Sequence, residues 1–103
     1  MKNDIKIWLD DVRPMPNGFT HHCKTAQEAI DLLKTNNVIH ISFDHDLGDV
    51  DELSGYTVAC YIEFAAYEKR IHPLTWEIHS ANPIGRQRIQ YSMQHADSFW
   101  KRM

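Results

Sequence analysis

Several short segments of the chain alternate apolar and polar residues and stop at polar or acidic side chains. Ile5, Ile7 and Leu9 alternate with Lys6 and Trp8 before an acidic pair. The same period of two occurs in residues 39–43 and around residues 76–78, and it is typical of β-strands. Residues 19–24 favour a further short strand after a turn-rich stretch. The pattern therefore predicts four strands.

Three segments carry the signals of helices. Thr25 and Glu28 have capping-box spacing and predict a helix that runs to about Thr35. An apolar stripe over residues 55–70 predicts a second helix, after a polar loop over residues 49–54. Asn82 as N-cap and Pro83 at the first helical position predict a third helix that continues through Trp100. The stretch between the first two strands contains two prolines and a glycine and is too broken for a helix.

Strands that alternate with helices imply a parallel sheet, in which ligands bind beyond the carboxyl ends of the strands. We therefore expect the polar residues that follow the strands to converge on one edge: Asp10, Asp11, Asp44, Asp46, His79 and Ser80. A strand buried on both faces is a continuous apolar run, whereas these strands alternate. One face should be partly open, with Lys6, Trp8, His40, Ser42 and Glu77 on it. Such a face allows a homodimer, or cover by the loop over residues 12–18.

Length, charge and cysteine content exclude several classes of function. The 103 residues suit one domain over residues 1–103, and the formal charge of −3 argues against a broad grip on nucleic-acid backbones and against sequence-specific DNA binding. Cys23 and Cys60 are too few for a disulfide framework, so we expect reduced thiols in a cytoplasmic protein. The sequence has no apolar run of the length that a membrane span needs, so we expect no membrane partner.

The strand-end residues suggest phosphate chemistry with a metal. Asp10 and Asp11 together with Asp44 suit Mg²⁺ or Mn²⁺, although an Asp after a strand often only shapes a turn. His45 and His79 are acid/base candidates because imidazole titrates near neutral pH. The candidates for binding phosphate are Arg13, Ser80 and Asn82, the last at a helix N-terminus.

Four motifs in order resemble the cyclic-phosphate processing receiver-like family (cREC), a derivative of the response-regulator receiver domain. They are Leu9-Asp10-Asp11-Val12-Arg13, Ser42-Phe43-Asp44-His45-Asp46-Leu47-Gly48, Gly55-Tyr56 and His79-Ser80-Ala81-Asn82-Pro83, and the resemblance covers about residues 7–85. It implies a flavodoxin/receiver-like α/β fold, truncated from three layers, with a mostly parallel four-stranded sheet in the order 2-1-3-4 and about three helices.

The resemblance also implies roles for single residues. Asp10 and Asp11 match the acidic pair that binds Mg²⁺ in receivers, Asp44 the phosphate-accepting aspartate, Gly55 the glycine after that loop, and Ser80 the small hydroxyl residue after strand four. Ordinary receivers lack the counterparts of His45, Asp46, His79 and Asn82, which suggest hydrolytic or ligand-processing chemistry. The sequence stops before a fifth strand with its lysine, which argues against an output driven by phosphorylation.

The leading hypothesis is a metal-dependent phosphoesterase that opens a cyclic phosphate on a nucleotide or RNA end. Asp10, Asp11 and Asp44 would hold the ion, and the catalytic residues would be Asp44, His45, His79 and Asp46. His79 or His45 would supply the proton, and Asp46 would orient a histidine or join the metal ligands. Three other hypotheses stay open: a module that captures a nucleotide without turnover, a degenerate receiver phosphorylated on Asp44, and a structural adaptor.

Overall fold

The computed structural model describes residues 4–47 and 53–102. Its elements are β1 (Asp4–Leu9), β2 (His21–Cys23), α1 (Ala26–Thr35), β3 (Asn37–Phe43), α2 (Gly55–Tyr67), β4 (Thr75–Ile78) and α3 (Pro83–Lys101). Every predicted strand and helix is present. The polar loop predicted over residues 49–54 lies mostly outside the described residues, as does Gly48.

Local capping sets the helix ends. The Thr25 side chain accepts from the Glu28 N–H, while the Glu28 carboxylate accepts from the Lys24 N–H and the Thr25 hydroxyl. Helix α2 ends at Tyr67, three residues before the predicted end, because Lys69 takes a left-handed φ of 60°. The chain then turns back, and the Arg70 N–H donates to the Ala65 carbonyl.

The four strands form one parallel sheet in the order β2-β1-β3-β4, which confirms the expected receiver-like topology. The connections β2-α1-β3 and β3-α2-β4 both move across the sheet in the same direction. Right-handed crossovers therefore place α1 and α2 on the same face. Helix α3 packs against α2 and continues this layer.

The core lies between this helical layer and one face of the sheet. It contains Ile7, Leu9, Ile41 and Phe43, each with no exposed surface, together with apolar side chains from all three helices. Along β1 and β3 the intervening residues point to the other face. None of the helices in the described part of the chain has the length and apolar character needed to cross a membrane.

The second face of the sheet has no helix over it among the described residues. The connection from β1 to β2, which crosses the sheet in the opposite direction, is a loop and contains no helix, as predicted. This loop covers part of the face: the Phe19 ring meets the Trp8 ring at a centroid distance of 5.3 Å. Lys6 and Glu77 stay exposed, whereas Trp8 and Ser42 are buried. The predicted half-open face is therefore covered over Trp8 and Ser42 and stays open at Lys6 and at Glu77 of the edge strand β4.

Helix α2 begins in direct contact with the end of β3. The Gly55 N–H donates to the His45 carbonyl at 2.9 Å, and a Cβ at Gly55 would lie 1.9 Å from the Asp44 carbonyl oxygen. Only glycine allows this approach. The contact fixes the backbone that carries Asp44.

We expect Gly55→Ala to lower the free energy of unfolding by about 2–3 kcal/mol, because the methyl group must displace backbone. Gly18→Ala is the control: Gly18 has a φ of +98° but its Cβ would meet no atom within 4 Å, so only the backbone cost of about 1 kcal/mol applies. Urea denaturation measures both. Equal losses in the two variants would contradict the close contact at Gly55.

Candidate functional site

Three carboxylates meet at the carboxyl end of the central strands. Asp10 and Asp11 follow β1, and Asp44 follows β3, the strand paired with it. One oxygen from each of the three lies within 4.8 Å of the others. A backbone hydrogen bond joins the ends of β1 and β3 at this point: the Asp44 N–H donates to the Leu9 carbonyl at 2.9 Å. The sheet register therefore brings the acidic residues together, as expected from their positions at strand ends.

The cluster opens into a cavity of about 470 Å³. Its lining residues are Asp10, Asp11, Val12, Arg13, Asp44, Asp46 and Ala81. A cavity of similar size, about 500 Å³, lies at the opposite end of β3, but no carboxylate lines it among the described residues. The cavity at the acidic cluster combines three clustered carboxylates with the guanidinium of Arg13, which suits a metal ion and a phosphate.

The Asp10 carboxylate is fully buried and accepts four hydrogen bonds. Oδ1 accepts from the backbone N–H groups of Val12 and Arg13 at 2.8 and 2.9 Å. Oδ2 accepts from Arg13 Nη1 at 3.3 Å and lies 3.0 Å from His79 Nε2. Burial alone raises the pKa of Asp10, but these donors outweigh it and the pKa lies below its ordinary value. Asp10 is therefore ionised.

The surroundings of the Asp44 carboxylate raise its pKa, whereas those of Asp10 lower it. Burial and the negative charge of Asp10 raise its pKa, although the His45 N–H, which donates to Oδ1 at 2.8 Å, partly offsets them. Two like charges close together disfavour ionisation unless a cation joins them. The raised pKa of Asp44 thus indicates a deficit of positive charge at this site.

His45 lies beside the cavity in a network of polar side chains. Its Nδ1 is 3.0 Å from Asp46 Oδ1, and Asp46 Oδ2 accepts from Asn82 Nδ2 at 3.4 Å. The imidazole packs on Gly85 of α3, where an added Cβ would lie 2.3 Å from the ring. Hydrogen bonding from His45 lowers the pKa of Asp46. Asp46 lines the cavity, whereas His45 contacts Asp46 and is not among the lining residues.

His79 lies on the half-open face of the sheet and is not among the residues that line the cavity. Its Nδ1 is 2.7 Å from the Ser42 hydroxyl, and its ring stacks on Trp8 at a centroid distance of 3.8 Å. Sequence reasoning placed Ser42 and Trp8 on this face but gave them no part in the site. The signal was available: Trp8, Ser42 and Glu77 stand two residues before Asp10, Asp44 and His79, and residues two apart share a face.

The residues predicted to bind phosphate have different surroundings. Arg13 lines the cavity with a half-exposed side chain. Ser80 is 4% exposed, and its hydroxyl accepts from the Asn82 N–H, whereas the Asn82 side chain caps α3 by accepting from the Gly85 N–H. Arg86 donates to the carbonyls of Ile78 and Ser80. Of this group, Arg13 is the one whose side chain lines the cavity.

The remaining candidates for chemistry stand apart from the cavity. Cys23 is buried, which raises the pKa of its thiol to about 12, and both cysteines are free. His22 Nε2 lies 2.7 Å from the Asp10 carbonyl, so it braces the loop after β1. His95 is paired with Glu63 on the helical layer. None of these residues lines the acidic cavity.

A parallel sheet in the order 2-1-3-4, with an acidic cluster at the carboxyl ends of its first and third strands, defines a receiver-like protein. The family model of the cyclic-phosphate processing receiver domain matches residues 5–95, and the chain belongs to that family. Among curated proteins and solved structures, nothing matches the chain. The domain is therefore a receiver associated with cyclic-phosphate processing, with an acidic triad that could hold a metal ion.

Asp44→Asn and Asp10→Asn should change stability in opposite directions in the absence of metal. Because the folded state raises the pKa of Asp44, its ionisation costs stability as pH rises through that pKa. Asp44→Asn should therefore be more stable than the parent at pH 7, by of the order of 1 kcal/mol, and this difference should vanish below about pH 4.

Asp10 has a lowered pKa, so its stabilisation is present above its ordinary value of 3.8 and is lost as pH falls through the folded pKa. Asp10→Asn should lose about 2 kcal/mol at pH 7, because an amide cannot accept from all four donors. Urea denaturation in chelator at pH 7 and pH 4 tests both variants. A destabilised Asp44→Asn at pH 7 would contradict the charge deficit.

Proposed function

We propose that this chain is a metal-dependent phosphoesterase that hydrolyses a cyclic phosphate on a nucleotide or RNA end. The observation that carries the proposal is the cluster of Asp10, Asp11 and Asp44 in a cavity that Arg13 also lines. Carboxylates alone would repel a phosphate, so an anionic substrate needs a cation between them. The family to which the chain belongs supports the choice of a cyclic phosphate.

The donor set fits a hard divalent cation. Mg²⁺ and Mn²⁺ prefer carboxylate oxygens and retain water molecules for a substrate phosphate. Asp11 and Asp44 would hold the ion together with Asp10, whose oxygens already accept from four donors. When bound, a divalent ion supplies positive charge against the phosphate oxygens and lowers the pKa of bound water.

Arg13 is our choice for the residue that holds the phosphate. Its guanidinium is half-exposed at the cavity and contacts Asp10 Oδ2 and the His79 carbonyl at 3.3 Å each, both long enough to exchange for phosphate oxygens. Ser80 and Asn82 shape the rim, where Ala81 lines the cavity. A volume of about 470 Å³ suits a ligand of mononucleotide size.

We assign proton donation to the departing ribose oxygen to His45. Opening the ring by attack of water requires a proton at that oxygen. Both nitrogens of the His79 ring already contact buried partners, Ser42 and Asp10. His45 uses Nδ1 toward Asp46, and no described residue bonds its Nε2. Asp46 orients His45 in this assignment.

One observation favours a second candidate, capture of the nucleotide without turnover. Neither imidazole is among the residues that line the cavity. A site with a cation and Arg13 but no proton donor within reach would bind a cyclic nucleotide and leave it intact. The first experiment separates these two functions.

Purified protein should convert one of a panel of 2′,3′-cyclic, 3′,5′-cyclic and linear nucleotides in the presence of Mg²⁺ or Mn²⁺. We expect Asp44→Asn to lose turnover by about 100-fold or more, because it removes a charge that holds the cation. Chromatography of the products gives the rate. The control is Asp31→Asn, which makes the same change on the exposed side of α1, where Gln27 is its partner.

Product that forms equally with chelator, or equally in Asp44→Asn, would overturn the metal-dependent reaction. Tight retention of an intact cyclic nucleotide, dependent on the metal, would instead establish capture. Labelling of Asp44 by a small phosphodonor would support the degenerate receiver.

His45→Gln should lower turnover by about 100-fold and leave Mn²⁺ affinity unchanged, because the proposed role of His45 is proton transfer and not cation binding. Calorimetry with Mn²⁺ and the turnover assay together measure the two effects. His95→Gln, which alters a histidine paired with Glu63 on the helical layer, is the matched control. Unchanged turnover in His45→Gln would remove it as the proton donor.

A further inference from the structure

Ser42, His79 and Asp10 form a chain of hydrogen bonds beneath the acidic cluster. The Ser42 hydroxyl is 2.7 Å from His79 Nδ1, and His79 Nε2 is 3.0 Å from Asp10 Oδ2. Ser42 and Asp10 have no exposed surface, and the side chain of His79 is 16% exposed. The three residues belong to β3, to the end of β4 and to the end of β1, so only the folded sheet brings them together.

The same residue types form the nucleophilic triads of hydrolases, but this arrangement does not suit a nucleophile. In those enzymes the attacking hydroxyl must reach substrate. Ser42 is fully buried on the inner strand β3 and is not among the residues that line the acidic cavity. Its hydroxyl therefore acts on His79 and on nothing outside the protein.

The protons of the chain can be assigned from its two ends. Asp10 Oδ1 accepts from two backbone N–H groups and Oδ2 accepts from Arg13, so the carboxylate is the acceptor and His79 Nε2 donates to it. When Nδ1 carries no proton, it accepts from the Ser42 hydroxyl. Ser42 thus holds the imidazole in the orientation in which its Nε2–H points at Asp10.

We propose that Ser42 and His79 act as a positioning pair that holds the Asp10 carboxylate in the orientation required for a divalent cation at the acidic cluster. This inference rests on the proposed function, which supplies the cation. Neither residue touches the substrate in this assignment. Hydrogen-bond partners behind metal-binding side chains commonly change metal affinity by about 10–100-fold when they are lost.

The other donor to Asp10 Oδ2 explains why the pair is needed. Arg13 Nη1 contacts the same oxygen at 3.3 Å, but its side chain is 48% exposed and lines the cavity. When Arg13 turns toward a phosphate, His79 is the side chain that keeps Oδ2 in place. In this assignment Arg13 binds the substrate phosphate, and His79 holds the Asp10 carboxylate.

Trp8 covers the pair on the half-open face. Its ring lies parallel to the His79 imidazole, with an interplanar angle of 6°, and its Nε1–H donates to the Arg13 carbonyl at 3.2 Å. The stacked indole fixes the plane of the imidazole and excludes water from the hydrogen bond to Ser42. Trp8 is 8% exposed, so this cover is itself part of the packed structure.

The test is calorimetric titration of the full chain with Mn²⁺. Ser42→Ala should weaken Mn²⁺ binding about 5–10-fold, because the imidazole loses the partner that holds it against Asp10. His79→Gln keeps an N–H donor for Asp10 that does not depend on Ser42, so it should bind Mn²⁺ within a few fold of the parent. Adding Ser42→Ala to His79→Gln should then have no further effect.

Ser92→Ala is the matched control for the loss of a buried hydroxyl. Ser92 is 1% exposed and lies 3.9 Å from Cys60 Sγ, away from the acidic cluster. A ¹⁵N spectrum of the histidine side chains gives a second measurement: the parent should show His79 as the Nε2–H tautomer hydrogen-bonded to Asp10, and in Ser42→Ala the Nε2–H signal should lose the shift that this hydrogen bond causes. A purely structural role for Ser42 would change stability but not this signature.

The outcomes separate the two proposals. If the parent binds Mn²⁺ and Ser42→Ala binds it equally well, the positioning pair is overturned and the proposed function stands. An equal loss of affinity in Ser92→Ala would also overturn the pair, since general destabilisation would explain it. If the parent binds no Mn²⁺, the metal-dependent function fails, and the pair fails with it.

Discussion

The burial of one ionised carboxylate, Asp10, organises this domain. A charge without exposed surface is tolerated only when it is fully hydrogen-bonded. Asp10 draws its donors from two places, the turn that follows β1 and His79 at the end of β4. The donors from the turn shape the loop that covers the half-open face. The hydrogen bond from His79 joins the ends of β1 and β4, two strands that are not neighbours in the sheet. Each contact that satisfies Asp10 therefore also builds the edge at which the cavity opens.

The helices lie on one face of the sheet because of the direction in which the strands are connected. This leaves the other face, next to the acidic cluster, to be covered by a loop. Both helical crossovers run in the same direction and cover one face, so a loop is the cover for the other. Trp8, packed between Phe19 and His79, covers the carboxyl end of that face, while Lys6 nearer the amino end and Glu77 on the edge strand β4 stay exposed. Ser42 and Asp10 beneath the acidic cluster are thus buried although no helix in the described part of the chain lies over them.

Most of the fold and the membership of the acidic cluster could be predicted from the sequence. Alternating segments that end at Asp10 and Asp44 predict two strands. Because parallel strands have their carboxyl ends at the same edge of a sheet, this is enough to predict that the two carboxylates meet. The roles of the histidines could not be separated in the same way, because both follow a strand. In the structure the His45 ring packs on Gly85 of α3 and contacts Asp46, which lines the cavity, whereas His79 contacts Ser42 and Asp10 on the half-open face of the sheet. The different surroundings of the two histidines depend on which face of the sheet each side chain points to and on which neighbouring residue can form a hydrogen bond with it.

The strands and helices, their order along the chain and the collection of acidic residues at strand ends follow from the amino-acid sequence, since they depend on local periodicity, capping and handedness. The contacts of Ser42 with His79 and of His79 with Asp10 arise in the packed fold and are not visible in the sequence. These contacts join residues 37 and 69 positions apart. They require the register of β3 against β4 and the cover of Trp8, which arise when the sheet is packed and a buried charge must find its donors.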